Sequence, residues 1–177
     1  MSKKRQDVLE AAECLFYEEG FHAVGIKRIV SKSNVSLMTL YNHFESKEIL
    51  ILELLDHREQ AYVSFLKNHV SQNKITDNLA LKIATAHMNW LEANSFNGCM
   101  FLRAKEEYQN ECEPIVDRVH QHKKFVIDML ESYGLSTEES LRLSLQLEGA
   151  TALAETTDIQ TVRAVFLSSV NTLFKAS

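Results

Sequence analysis

Val24-Gly-Ile-Lys-Arg-Ile-Val-Ser-Lys-Ser-Asn34-Val-Ser-Leu-Met-Thr-Leu-Tyr-Asn-His-Phe44 decides the fold of this 177-residue chain. Ile26, Ile29 and Val30 recur at helical spacing before Ser33-Asn34, and Val35, Leu40 and Phe44 do so after it. Two short helices around a tight polar turn follow, with Asn34 suited to a positive φ because its short polar side chain tolerates the left-handed region. Once both apolar stripes close on one small core, Ser36, Leu37, Met38, Thr39, Tyr41, Asn42 and His43 are left facing outward. Hydroxyls and amides dominate that face, the chemistry a groove of duplex DNA calls for.

The flanks extend the pattern. Val8-Leu9-Glu10-Ala11-Ala12, Leu15-Phe16, Gly20-Phe21 and the run Thr39-Leu40-Tyr41-Asn42-His43-Phe44-Glu45-Ser46-Lys47-Glu48 stand in order around it. Together these roughly fifty residues resemble the DNA-binding domain of the tetracycline-repressor (TetR) family of bacterial transcription regulators, Thr39 to Glu48 being the most specific part. The resemblance implies a homodimer that binds an inverted-repeat operator in double-stranded DNA, most simply as a repressor answering a small-molecule effector. Thr39, Tyr41, His43 and Lys47 match positions that in the family contact the DNA backbone, which leaves Ser36, Leu37, Met38 and Asn42 for base edges. Leu37 and Met38 donate no hydrogen bonds and are expected to read thymine methyls. Two departures stand out: the family usually has Gly at the turn and Lys-Gly at the start of the recognition helix, where this chain has Asn34 and Leu37-Met38. Gly25 also replaces a frequent Ser or Thr, and Gly is a modest N-cap.

The net charge of −5 first argues against a polyanionic partner, but its distribution does not. Residues 1–50 carry seven basic and seven acidic side chains, so the acidic excess lies entirely beyond them. Lys3, Lys4 and Arg5 read as a basic arm, and Lys27, Arg28 and Lys47 fall at or near helix starts, where cations and free backbone N–H groups meet phosphates together. No stretch approaches the roughly 20 apolar residues of a membrane span, and the basic N-terminus has no apolar signal core behind it. A cytoplasmic location is expected, with no membrane partner. Cys14, Cys99 and Cys112 lack Cys-x-x-Cys spacing and read as reduced thiols, although Cys99 and Cys112 could sense oxidants if brought together.

A single Pro and five Gly in a chain 45% apolar predict an all-α protein of nine helices and two modules. The expected helices span about 3–19, 26–32, 36–43, a long fourth from Ser46, a fifth from Thr76-Asp77 to 94, then 98–110, 114–133, 136–155 and 158–175. A helix-turn-helix DNA-binding domain over 1–48 and a helical ligand-binding and dimerisation domain over 49–177 are the expected division. Small residues in the eighth expected helix and a broad apolar stripe in the ninth suggest a dimer interface through Gly149, Ala150, Leu153, Val162, Val165, Phe166 and Val170. Candidate pocket residues are His87, Trp90, Phe96, Met100, Phe101, Tyr108, His120, Phe125 and Met129, for a hydrophobic or aromatic effector. Glu106, Glu107 and Glu111 read as a solvated face. No nucleophile-and-base pair or metal-ligand spacing occurs, so neither an enzyme nor a cofactor is expected. The contrasting expectation is a helical small-molecule-binding or interaction protein that keeps the fold without reading an operator.

Overall fold

The computed structural model describes residues 2–72, 78–94 and 97–174, and its helices are α1 (Lys3–Glu19), α2 (Ile26–Ser33), α3 (Leu37–His43), α4 (Lys47–Gln72), α5 (Leu79–Asn94), α6 (Met100–Tyr108), α7 (Glu113–Ser132), α8 (Thr137–Leu153) and α9 (Ile159–Leu173). Among the described residues the fold is all-α with no strand, and no helix is long and apolar enough to cross a membrane. The expected Thr76-Asp77 helix start, the candidate Phe96 and the end of the last helix near Lys175 lie outside the described residues.

Local chemistry sets most helix ends. Ser2 caps α1, its hydroxyl accepting from the Arg5 N–H at 3.3 Å, and Gly20 stops it at φ +90° while donating its N–H to the Phe16 carbonyl at 3.0 Å. Ser46 accepts from the Ile49 N–H at the start of α4. Ser136 and Glu139 form a reciprocal capping box on α8, and Asp158 accepts from the Thr161 N–H at 2.8 Å to open α9.

The helices form two compact units: residues 1–58 with 100–121, and residues 59–99 with 122–177. The expected boundary at residue 48 does not coincide with this division, because α6 and the first part of α7 group with the N-terminal helices. In the first unit α1, α2 and α3 pack on one another, and Val8, Phe16, Phe21, Ile29, Leu40 and Phe44 are wholly buried. Phe16 and Phe21 lie with ring centroids 4.9 Å apart, and Tyr108 meets Phe21 edge-on at 6.3 Å. In the second unit α5 packs on α8 and α9, which also pack together around Ile83, Met88, Leu130, Leu143 and Val170. Arg163 on α9 strengthens that join, reaching Asn89 at 2.9 Å and Glu92 at 3.2 Å on α5.

Candidate nucleic-acid interface

The turn between α2 and α3 is built as its sequence requires: Asn34 takes φ +54°, ψ +35°, the left-handed conformation that ends α2 and redirects the chain. Ile29, Leu40 and Phe44 are fully buried beneath it, while Ile26, Val30 and Val35 are half-buried. Gly25 caps α2 without a side-chain bond, leaving that start to the backbone bond from the Arg28 N–H to the Gly25 carbonyl. With Leu40 inward, the opposite face of α3 presents Leu37, Met38, Tyr41 and Asn42, and Met38 is 76% exposed. Three of these four side chains are large and hydrophobic in water, a cost that a partner in contact removes.

The remaining DNA-contact candidates divide by how firmly the fold already holds them. Ser36 is the N-cap of α3: its oxygen accepts from the Thr39 N–H at 3.1 Å and lies 2.8 Å from the Thr39 hydroxyl. His43 is half-buried, with Nε2 3.4 Å from the Ser2 hydroxyl. Lys47 is half-buried with its ammonium 5.8 Å from the Phe16 ring centroid, and burial lowers its pKa, opposed by Glu48 and Glu107. The basic residues Lys3, Lys4 and Arg5 form the first turn of α1, which starts at residue 3 as its sequence leads one to expect, with Ser2 as its cap. Lys3 and Lys4 remain exposed, whereas Arg5 pairs with Glu53 and lies over the Phe44 ring. Lys27 is exposed, and Arg28 pairs with Glu19 at 2.5 Å at the surface, a bond that costs little to exchange for a phosphate.

The first unit also holds residues that sequence reasoning placed elsewhere. Glu107, read as part of a solvated face, is half-buried; its carboxylate accepts from the backbone N–H groups of Phe21 at 3.0 Å and His22 at 2.6 Å, directly after α1. One turn earlier on α6, Arg103 donates to the Tyr17 carbonyl at 2.8 Å. The two side chains thus grip the C-terminal end of α1 from both polarities. A Cβ on Gly20 would stand 2.9 Å from the Glu107 carboxylate at a strained φ, so the glycine also keeps this approach open. Glu107→Ala is expected to lower stability by about 1–3 kcal/mol through the two donors left without their partner. Thermal unfolding together with amide exchange at residues 21 and 22 checks it; unchanged exchange there would show the grip to be idle.

The pocket candidates are divided between the two units. Met100, Phe101 and Tyr108 belong to the buried interior of the first unit, with Arg118 5.7 Å above the Phe101 ring, and His120 in the same unit is exposed. In the second unit Phe125 is exposed, Met129 and Trp90 are core, and His87 is fully engaged. The Thr151 hydroxyl donates to the Leu147 carbonyl at 2.9 Å, so it accepts from His87 Nε2–H at 3.0 Å, which leaves Nδ1 to accept the Tyr62 O–H at 2.9 Å. Burial pushes the His87 pKa down to about 4, reinforced by Lys123 and opposed by the Leu147 carbonyl, and burial drives the Tyr62 pKa up. His122, not His120, turns inward, with Nδ1 2.8 Å from Glu59 Oε2.

Four of the expected dimer-interface residues are likewise corrected. Ala150, Val162, Phe166 and Val170 lie in the core of the second unit, whereas Gly149, Leu153 and Val165 are exposed. Leu141, Leu145, Gly149 and Leu153 recur every fourth residue along the outer face of α8, and Val165 and Leu173 edge a shallow groove on α9 with Ser168 and Ser169.

Residues 8–54 match the family model of bacterial regulatory proteins, tetR family. A TetR-family transcriptional regulator from Streptomyces coelicolor superposes with a TM-score of 0.86 at 28% identity, over 97% of this chain and 94% of that one. The helix-turn-helix-type transcriptional regulator UidR of Escherichia coli is 42% identical over 62 residues, 34% of this chain and 32% of UidR. YuxN of Bacillus subtilis, a regulator of the same type, is 24% identical over 153 residues, 84% of this chain and 53% of YuxN. The chain thus spans about half or less of the length of these curated relatives. With the left-handed turn at Asn34, the buried Leu40 and the outward face of α3, these likenesses identify residues 8–54 as a tetR-family helix-turn-helix domain, in a chain whose whole fold resembles that of a TetR-family transcriptional regulator.

Proposed function

We propose that this chain is a ligand-responsive repressor that binds an inverted-repeat operator as a homodimer in the cytoplasm. One observation carries the DNA reading: α3 buries Leu40 completely while holding Leu37, Met38, Tyr41 and Asn42 out to solvent. Asn42 supplies an amide for a base edge and Leu37 and Met38 supply apolar contact for thymine methyls, while Tyr41, Thr39 and the exposed Lys3, Lys4 and Lys27 serve phosphates. Residues 1–48 act as the DNA-binding part. Two copies related by a two-fold axis demand a symmetric site. Selection of bound sites from random duplexes tests this, and recovery of no symmetric motif would sink it. On the selected site, Lys27→Ala is expected to weaken binding to all sequences alike and to lower the salt slope by about one. Leu37→Ala is expected to relax preference at one position per half-site by roughly tenfold. Binding titrations at several salt concentrations check both.

The second unit is the part to which the effector and dimer roles fall. The exposed faces of α8 and α9, rather than the buried stripe, are the surface for the second copy. The effector is a small apolar or aromatic molecule, and the aromatic group Tyr62, Phe65 and Trp90, with ring centroids 5.4–5.5 Å apart, supports that preference. His87 is already satisfied and is not its anchor. α4 and α7 each run unbroken from one unit into the other, so either can carry a change between effector and DNA. Linkage then requires that operator weaken effector binding by the factor by which effector weakens operator binding. Titrating each in the presence of the other is the check; unequal factors would exclude the scheme.

A further inference from the structure

Cys14 on α1 and Lys32 at the end of α2 are 18 residues apart in sequence, yet Lys32 Nζ lies 2.9 Å from Cys14 Sγ. Sγ is also 3.3 Å from Glu18 Oε1, so the sulfur sits between a carboxylate that accepts its S–H hydrogen bond and an ammonium that donates to it. Cys14 is half-buried, and Lys32 and Glu18 are exposed, which leaves the sulfur within reach of a small solute. The contact is strong enough to raise the Lys32 pKa, the bond to Cys14 being the first cause. The second cysteine–lysine pair differs: Lys123 Nζ is 3.4 Å from Cys99 Sγ but is held at 2.5 Å by Glu148.

We propose that Cys14 and Lys32 form a reversible sulfenamide cross-link when the protein meets a peroxide. The Cys14 thiolate attacks one peroxide oxygen; the S–O bond forms, the O–O bond breaks, and hydroxide leaves as water, giving the sulfenic acid. Oxidation removes the thiolate that favoured the charged lysine, and the deprotonated Lys32 amine then attacks sulfur. The S–N bond forms, the S–O bond breaks, and a second water leaves with a proton from nitrogen. One thiol, one amine and one hydrogen peroxide thus give one sulfenamide and two waters, sulfur having passed two electrons to the peroxide. Two equivalents of external thiol reverse the step, restoring thiol and amine as the external pair becomes a disulfide. The bridge ties α1 to α2 and converts a cation of the helix-turn-helix unit into a non-basic nitrogen.

The experiment uses the full chain carrying Cys99→Ser and Cys112→Ser, which leaves Cys14 as the single thiol. After hydrogen peroxide, intact mass should fall by two hydrogens, peptide mapping should join Cys14 to Lys32, and dithiothreitol should reverse both. In the same background Lys32→Arg keeps the cation but should yield only a dimedone-trappable sulfenic acid. Conversion of Cys14 straight to sulfinic or sulfonic acid without a bridge overturns the proposal, as does a bridge from Cys14 to another lysine in the Lys32→Arg protein. If circular dichroism shows either variant unfolded, the same mapping on the unsubstituted chain decides between these outcomes. The mass readout needs no DNA, so it stands or falls apart from operator binding. For DNA itself, a bridged sample should bind a random-sequence duplex several-fold more weakly, with a salt slope lower by about one where Lys32 meets a phosphate.

Discussion

Ala150→Arg should unfold the second unit rather than release a folded monomer. Ala150 is 4% exposed and lies on the inner face of α8 within the core formed with Leu147, Val162 and Phe166. A guanidinium there lacks the room for its volume, and among the described residues no carboxylate is buried to pair with it, so overpacking plus an uncompensated charge cost at least about 3 kcal/mol. The expected result is a large drop in thermal midpoint with loss of helical signal. Leu145 and Val165, about two-thirds exposed, give the contrasting test of assembly. Leu145→Glu and Val165→Glu should keep the midpoint within a few degrees, roughly the surface-substitution range, while shifting the chain to monomer in sedimentation. A folded, monomeric Ala150→Arg protein would show that α8 turns its other face to the core.

The contrast between Ala150 and Val165 marks what was legible in the sequence. Helix positions were readable because their causes are local: Gly20 stops α1, Asn34 closes α2, and Ser46, Ser136 and Asp158 cap the helices that follow them. The face that α9 buries was not, because Val162, Phe166 and Val170 recur at helical spacing and so do Val165 and Leu173 on the other side. A helix apolar on both faces gives periodicity no side to choose. The recognition helix escaped that ambiguity, since only Leu40 and the flanking Phe44 can fill its core side.

Long-range polar pairing was the other blind spot. Glu107 sits among other acids and looks like surface, and its partners are backbone N–H groups 85 and 86 residues away, which no side-chain pattern encodes. The same holds for His120 and His122. Two residues apart on α7, they point to different sides, and only the position of Glu59, 63 residues from His122, makes the second the inward one. Cys14 and Lys32 were both in view as sequence, but their approach depends on the packing of α1 against α2.

His87 offers the test whose sign is fixed by chemistry. In the folded chain its imidazole is neutral, donating from Nε2 to Thr151 and accepting at Nδ1 from Tyr62, and burial lowers its pKa to about 4 from the ordinary 6.5. Protonation would put a second donor on Nδ1 against the Tyr62 hydroxyl and a charge in an apolar interior. The unfolded chain therefore binds a proton between pH 6.5 and 4 that the folded chain refuses, and stability rises with pH through that window. The contribution is fully present above about pH 6.5 and lost by about pH 4, a span worth about 3 kcal/mol at 1.36 kcal/mol per unit. His87→Gln keeps an amide able to donate and accept but cannot be charged, so its stability curve should be flatter than that of the unsubstituted chain over this range, whatever its absolute level. Denaturant unfolding of both proteins at pH 7.5 and pH 4.5 measures the difference; parallel curves would mean that Tyr62 and Thr151 do not hold His87 neutral.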